Sequence, residues 1–388
     1  MQLERKLLIF TTAALAGLGL LMVYSSSITA RPSFSDQKYL TRQLMFMAAG
    51  VVVAAVAARV PVDLWRKAAV PFFAIVTALL VTVLIPGVGS RINGAQRWFR
   101  FASISVQPSE LAKVAIVLFL AWALERKGDE IRRFWKGWLP LMVAALVVSG
   151  LVLIEPDFGT AVFLMAIAVM MIFLAGVPIW HMLACVAAAV PAVGFLVLAQ
   201  PYRVKRIFQF LEGWSDPNSA PYQVQQSLVA LGSGGLWGTG LGQGWQKLGF
   251  LPEANTDFVF AVVGEELGLV GTLAVLALWG TFLVCGVRLA REAGPDRFAY
   301  LAALGLVGQS VFQAALNIAV VTGSLPPKGI SLPFISAGGS NLMISLVSVG
   351  IVLGMTRVEN RGSTMEDRGS KRPRVPFYPQ SSILNPQS

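Results

Sequence analysis

Ten runs of predominantly apolar residues succeed one another along the chain, near 7–28, 40–58, 68–86, 110–125, 138–154, 159–176, 178–199, 258–287, 298–322 and 340–356. A helix of about 20 apolar residues matches the thickness of the hydrocarbon core of a bilayer. Such runs therefore predict an all-α polytopic membrane protein of about ten transmembrane helices. Hydrophobic residues make up 55% of the chain and charged residues 13%, about half the ~25% usual for soluble domains. That balance excludes a soluble enzyme, a secreted disulfide scaffold and a disordered chain. Barrel strands alternate in short segments, so the unbroken runs also argue against a β-barrel.

The stretch 138–176 could pass for one long span, but Glu155-Pro156-Asp157-Phe158-Gly159 divides it. Two carboxylates and a proline do not belong at mid-membrane, so a tight turn is expected there. The first run follows Glu4-Arg5-Lys6 and is too long for a signal-peptide core, which makes it a retained first span. With a cytoplasmic N-terminus, nineteen of the 31 Lys and Arg fall on the cytoplasmic side, as the positive-inside rule asks. Ten spans then return both termini to the cytoplasm. Residues 1–356 form the transmembrane domain, and 357–388 read as a basic, disordered cytoplasmic tail. On the extracytoplasmic side three connections are long, about 87–109, 200–257 and 323–339; the second is the large loop between helices 7 and 8. Long loops usually carry function.

Cys185 and Cys285 lie inside apolar runs and suggest neither a disulfide nor a metal site. His181 stands alone, which leaves no histidine metal cluster. The net charge of +11 fits basic loops beside anionic lipid rather than nucleic acid.

Six features could carry chemistry, each with a structural alternative. Asp257, in Leu251-Pro252-Glu253-Ala254-Asn255-Thr256-Asp257-Phe258, sits where the largest loop meets the eighth span. It could cap that helix, or act as a general base whose pKa is raised by partial desolvation. Glu265 and Glu266 follow inside the same run, either as a buried pair with basic or backbone partners or as functional groups. From Gly232 to Gly244, seven of 13 residues are glycine, including Gly234 and Gly235. Such a loop could cradle a phosphate with its N–H groups or serve as a re-entrant connector. Glu110 and Lys113 are three apart on one helix face, suited to an internal structural ion pair unless Lys113 meets an anionic ligand. Lys328 is the only charge in the proline-broken segment Leu325–Ser340. It suits a pyrophosphate, or a snorkelling role at the interface. Arg91, Arg97 and Arg100, and separately Arg203, Lys205 and Arg206, accompany aromatic residues in the outer loops. They could anchor at headgroups or meet an anionic, lipid-linked ligand.

Taken together, these motifs resemble the SEDS family (shape, elongation, division and sporulation proteins). The matching segments include Met22–Ser26, Gly94–Trp98, Gln107–Lys113, Glu155–Thr160, Tyr222–Ser227, Gly232–Gly235, Leu251–Phe258 and Leu325–Ser340, in order from about Leu15 to Arg357. Glu155-Pro156-Asp157-Phe158-Gly159 is most similar to the septal branch, since elongation members usually have Gln where Glu155 stands.

The resemblance implies an inverting peptidoglycan glycosyltransferase that polymerises glycan strands from lipid II outside the cytoplasmic membrane during septal wall synthesis. It implies a class B penicillin-binding protein as partner, an FtsI-like transpeptidase, with other divisome membrane proteins. The ligands would be lipid II and undecaprenyl-pyrophosphate-linked glycan. The family's essential aspartate matches Asp257, the expected general base. Asn255 stands where the family usually has His. Lys328 is the first candidate to stabilise the pyrophosphate leaving group, followed by Arg91, Arg97, Arg203 and Arg206; a divalent cation, Mg or Mn, could share that role. Gly234, Gly235, Ser336, Gly338, Gly339 and Ser340 would shape the cavity. A lipid II flippase and a non-catalytic division scaffold are the rival functions.

Overall fold

The computed structural model describes residues 2–27, 34–92, 95–101, 104–216 and 219–357. Twelve α-helices occur among them: α1 (Gln2–Ser27), α2 (Phe34–Ala57), α3 (Val62–Val83), α4 (Pro108–Lys127), α5 (Leu139–Ile154), α6 (Phe158–Leu174), α7 (Ile179–Leu198), α8 (Pro201–Ser215), α9 (Tyr222–Ser233), α10 (Val259–Glu292), α11 (Arg297–Val321) and α12 (Gly339–Met355). Each of the ten expected runs falls on one of these helices. Seven helical segments are long and apolar enough to cross a membrane, on α1, α2, α3, α5, α7, α10 and α11. The segments α6 and α12 are shorter apolar helices. The tail expected after residue 356 lies outside the described residues, apart from Arg357.

Two of the three long connections hold structure that the apolar pattern did not reveal. Between α3 and α4 the strands β1 (Ser90–Ile92), β2 (Ala95–Phe101) and β3 (Ile104–Val106) pair as a three-stranded antiparallel meander. The connection between α7 and α10 contains α8 and α9. The turn expected at 155–159 is present: α5 ends at Ile154, and Asp157 caps α6 by accepting from Thr160 N at 3.0 Å.

Helix α2 packs on α12, α1 on α10, α3 on α4, α10 on α11 and α5 on α6. The centre is α4, where Val114 to Leu118 are all buried. Its charged ends are tolerated because its neighbours are protein rather than lipid. Proline at its first position supplies the φ a helix start needs and lacks an N–H that would go unpaired.

At the end of the bundle away from the long loops, Arg66 of α3 is a hub. It bonds Glu125 of α4 at 3.1 Å and both oxygens of Asp296 at 2.7 Å, pairs with Asp63, and lies over the Phe298 ring. Three helices are thereby joined through one guanidinium, whose planar fork suits multiple carboxylates.

Helix α10 is interrupted at Gly268 (φ 67°, ψ −162°). A left-handed residue breaks the ladder and frees backbone groups. The glycine-rich segment takes them up: Leu269 N bonds Gly235 O at 2.9 Å and Val270 N bonds Leu236 O at 3.2 Å. In return, Thr239 N and Gly240 N bond the carbonyls of Glu265 and Glu266 at 2.9 and 3.1 Å.

Candidate functional site

A cavity of about 440 Å³ opens at the end of the bundle that bears the long loops. Its walls come from α2 (Arg42, Gln43, Phe46), β2 (Arg97, Trp98), the starts of α4 and α6, Glu253 with Thr256 to Phe258, and residues 328–331 and 337–341. Arg206 of α8 and Gln223 of α9 complete the rim.

Asp257 lines this cavity, half-buried. It does not cap α10; that helix begins after Phe258 with no side-chain cap. Among the described residues nothing donates a hydrogen bond to its carboxylate. Burial, followed by the nearby charge of Glu253, raises its pKa from 3.8 to about 7, with Asp157 adding to the rise and Arg97 opposing it. Ionised carboxylates need solvation or a partner, so this one is poised between protonation states near neutrality.

The backbone around Asp257 is tied to the Lys328 segment by two side chains and one backbone bond, and a third side chain ties that segment to α11. Asn317 of α11, 1% exposed, donates from Nδ2 to Asp257 O and Ile330 O, both at 2.7 Å. Ser336 Oγ donates to Thr256 O at 2.5 Å and accepts from Leu332 N at 2.7 Å. Gln313 donates to Ser331 O at 2.8 Å, and Ala337 N to Asn255 O at 2.8 Å. The segment is anchored in the core by Phe334, which holds φ 66° while its buried ring stacks on Trp279. A non-glycine residue in that region is strained and persists where packing enforces it. Gly329 lets this segment approach Asp257 closely, since a Cβ there would sit 3.2 Å from Asp257 Oδ2.

Lys328 lines the cavity with its ammonium over the Phe158 ring, 5.6 Å from the centroid. Burial lowers its pKa, and among the described residues it has no carboxylate in salt-bridge range. Arg206 donates to Pro327 O at 3.2 Å, so α8 holds the same segment. Arg97 pairs with Asp157 at 3.1 Å. Asp157 also accepts from Gln107 and Thr160.

Glu110 and Lys113 meet at 2.8 Å, and both line the cavity. Lys113 also donates to Gln313 at 2.8 Å, and Asn341 donates to Glu110 at 3.1 Å. The pair is thus embedded in a network that continues to Ser331. Gly338, Gly339 and Ser340 line the cavity, whereas Ser336 supports it from behind.

Several expected positions lie elsewhere. Gly234 and Gly235 do not line the cavity: a Cβ on Gly234 would meet Gly264 O at 1.9 Å, so this glycine brings the loop against α10, while Gly235 supplies a φ of 52°. The loop's N–H groups cradle carboxylates instead of phosphate. Trp245 N and Gln246 N bond Glu265 at 2.7 and 3.2 Å, and Gly242 N bonds Glu266 at 3.1 Å. Lys247 completes the arrangement at 2.7 Å from Glu266, with Ser25 Oγ donating to the same carboxylate. Arg91 is exposed on β1, 3.4 Å from Gln96, and does not line the cavity. The side chain of Arg203 lies outside the described residues. Asn255 contributes its carbonyl to the support and is not on the cavity wall.

Sequence reasoning passed over Gln313 and Asn317, although Gln309, Gln313 and Asn317 recur every four residues on otherwise apolar α11, a readable buried polar stripe. No group of three or more His, Cys, Asp or Glu is placed to hold a metal ion among the described residues. Asp157 is already committed to Arg97, Gln107 and Thr160.

Glu155, at the end of α5, is fully buried, and neither carboxylate oxygen has a hydrogen-bond partner. Burial and the adjacent Asp157 raise its pKa from 4.5 to about 8, against the pull of Arg97. A raised carboxyl contributes stability below its ordinary pKa and loses it as pH climbs through the folded value. Between pH 4.5 and 8, thermal melts of Glu155→Gln should therefore fall less with pH than those of the wild type. Parallel melting curves would show the carboxyl to be solvated.

The cell cycle protein family of FtsW, RodA and SpoVE matches residues 5–361. The probable peptidoglycan glycosyltransferase FtsW of Trichlorobacter lovleyi is 43% identical over 351 residues, covering 90% of this chain and 92% of that protein. Stage V sporulation protein E of Bacillus subtilis is 40% identical over 353 residues, covering 90% and 96%. Among solved structures, a chain of a peptidoglycan synthase complex described as coordinating polymerization and crosslinking superposes with TM-score 0.74 at 31% identity, covering 90% and 96%. The rod shape determining protein RodA of Thermus thermophilus superposes with TM-score 0.66 at 31% identity, covering 90% and 95%.

Proposed function

The chain belongs to the FtsW/RodA/SpoVE family of cell cycle proteins, the SEDS family, and from that premise we propose that it polymerises peptidoglycan glycan strands from lipid II during septal wall synthesis. Relatives at about 40% identity that carry the name peptidoglycan glycosyltransferase support the reaction class. One observation carries the site: a carboxylate without a hydrogen-bond partner, Asp257, shares a cavity with the cations Lys328 and Arg206.

The reaction needs a base and an anion-stabilising group on opposite sides of one carbon. Asp257 takes the proton of the acceptor sugar hydroxyl as that oxygen bonds to the donor's anomeric carbon. The bond from that carbon to the pyrophosphate oxygen breaks with inversion, and the lipid pyrophosphate leaves with the electron pair. Lys328, backed by Arg206, meets the growing negative charge; such preorganised electrostatics is usually the largest catalytic contribution. A divalent cation carried in on the pyrophosphate would add to it. We place this cavity on the extracytoplasmic face of the cytoplasmic membrane, with a class B penicillin-binding protein of the FtsI type beside it. The synthase-complex match, whose description couples polymerization to crosslinking, supports that partner.

The test is polymerisation of lipid II by the full chain with its cognate partner, the partner's transpeptidase site inactivated so that strands run as a ladder. Its pH profile gives a second readout. A base is active when ionised, so turnover should rise with pH through about 7. Glu253→Gln removes a charge that raises the Asp257 pKa, so the rise should move to lower pH. A limb near 4, unmoved by Glu253→Gln, would exclude Asp257 as the titrating base.

A further inference from the structure

A second concavity, of about 670 Å³, lies between α8 and α9. It is contiguous with the Asp257 cavity, because Arg206 and Gln223 line both. We propose that this groove is a saccharide subsite that holds the growing, N-acetylated glycan strand beside the reaction centre; the proposal rests on the polymerase reading above.

Three observations support it. The first is the lining chemistry. Besides the shared residues, the groove presents Lys205, Gln209, Glu212, Tyr222 and Gln225. Carboxamides predominate over net charge. Amides both donate and accept hydrogen bonds, which suits sugar hydroxyls and acetamido groups better than a pyrophosphate. Tyr222 is 53% exposed, and a half-open aromatic ring offers an apolar face with a polar tip.

The second is that Tyr222 and Gln223, at the start of α9, take no part in its packing, whereas Gln225 donates to Ala220 O at 2.7 Å across the groove. Val224 and Ser227 account for its packing, being buried, with Ser227 Oγ donating to Val321 O at 2.6 Å. Tyr222, Gln223 and Gln225 are left on the groove side. The wall opposite is set by Gly213, where a Cβ would meet the Ala220 Cβ at 2.5 Å. Helix α8 can therefore lie close against the segment that leads into α9.

The third is stoichiometric. Glycosyl transfer joins two saccharides, and a pocket of the order of 300–1,000 Å³ encloses about one drug-sized group. The cavity of about 440 Å³ can hold the reacting units only if the rest of the strand extends into adjoining space. The groove adjoins it through the residue, Arg206, that also braces the Lys328 segment.

A strand held this way stays bound between additions, so its loss should shorten the product. Gln209→Ala combined with Tyr222→Ala should reduce median strand length by about threefold or more, the effect expected when contacts that hold the strand are lost and dissociation quickens. Lengths are compared at equal lipid II consumption, with the inactivated partner present. As a second measurement, lipid-free, uncross-linked glycan strands are titrated against the full chain in nanodiscs, reading Trp214 at the end of α8. Saturable binding by the wild type, weakened in the double variant, is the expected result. Unchanged strand lengths together with no glycan binding would overturn the proposal. So would a Trp214 response to anionic lipid but not to glycan, which would assign the groove to headgroups. If the wild type makes no polymer, the polymerase reading fails, while the glycan titration still decides the groove.

Discussion

Asp257→Asn should lower polymerisation by about 10²–10⁴-fold, the range for loss of a positioned general base, while leaving a folded protein in the membrane. The substitution is isosteric, and no described residue donates a hydrogen bond to the carboxylate it replaces. Nothing structural is therefore broken. The change should instead be mildly stabilising at alkaline pH. The folded state raises the Asp257 pKa from 3.8 to about 7, so its stabilising contribution is present below pH 3.8 and lost as pH rises through 7. The amide does not titrate and escapes that loss. Both effects can be read on one preparation, by the strand ladder from lipid II and by thermal melts at pH 6 and pH 8. A variant as active as the wild type would remove the base from Asp257; an inactive variant with a collapsed melt would mean the carboxylate is structural.

The second large effect concerns the charge pair of Lys247 and Glu266, with side chains 1% and 0% exposed. Lys247→Met should destabilise the protein by about 3–5 kcal/mol, since it leaves a buried carboxylate without its counter-charge. Two Ser25 contacts, at 2.9 Å to the lysine, are lost with it. The companion change Glu266→Leu, made together with Lys247→Met, should recover much of the loss, because an apolar pair has no charge left to solvate. Unfolding in detergent, followed for both singles and the double, measures the coupling. Additive losses would show that the pair does not interact in the folded protein. Because α10 starts two residues after Asp257, the Lys247→Met protein should also lose turnover in proportion to its unfolding.

The positions of the apolar helices were legible because hydrophobic run length is set by the bilayer, and every expected run coincides with a helix. What length and hydropathy could not show is structure that spans nothing. Helix α8 is amphipathic, with Phe208, Leu211 and Trp214 exposed, and the β-meander is built from strands of three to seven residues. In the site, Asp257, Lys328, Arg97 and Arg206 do meet, and the Glu110–Lys113 pair joins them on the same wall. They lie on separate helices and loops far apart along the chain, so only motif resemblance could bring them together. The glycine-rich segment was misjudged for a physical reason. A run of N–H groups attracts any anion, and composition does not reveal whether that anion is a ligand or a residue of the same chain. Asn317 was overlooked because an amide inside an apolar helix carries no charge to mark it, although its bonds to Asp257 O and Ile330 O join the segments that bear Asp257 and Lys328.

That anion nest has a consequence for how the molecule meets its surroundings. Glu265 and Glu266 are tethered ligands, present at an effective concentration of the order of millimolar or more, and their competitor would have to enter a space that Lys247 and Ser25 already fill. The loop is a receptor saturated by its own chain. Dissolved phosphate arrives as a rival to groups already in place, so the nest acts as an internal clasp between α10 and the glycine-rich segment.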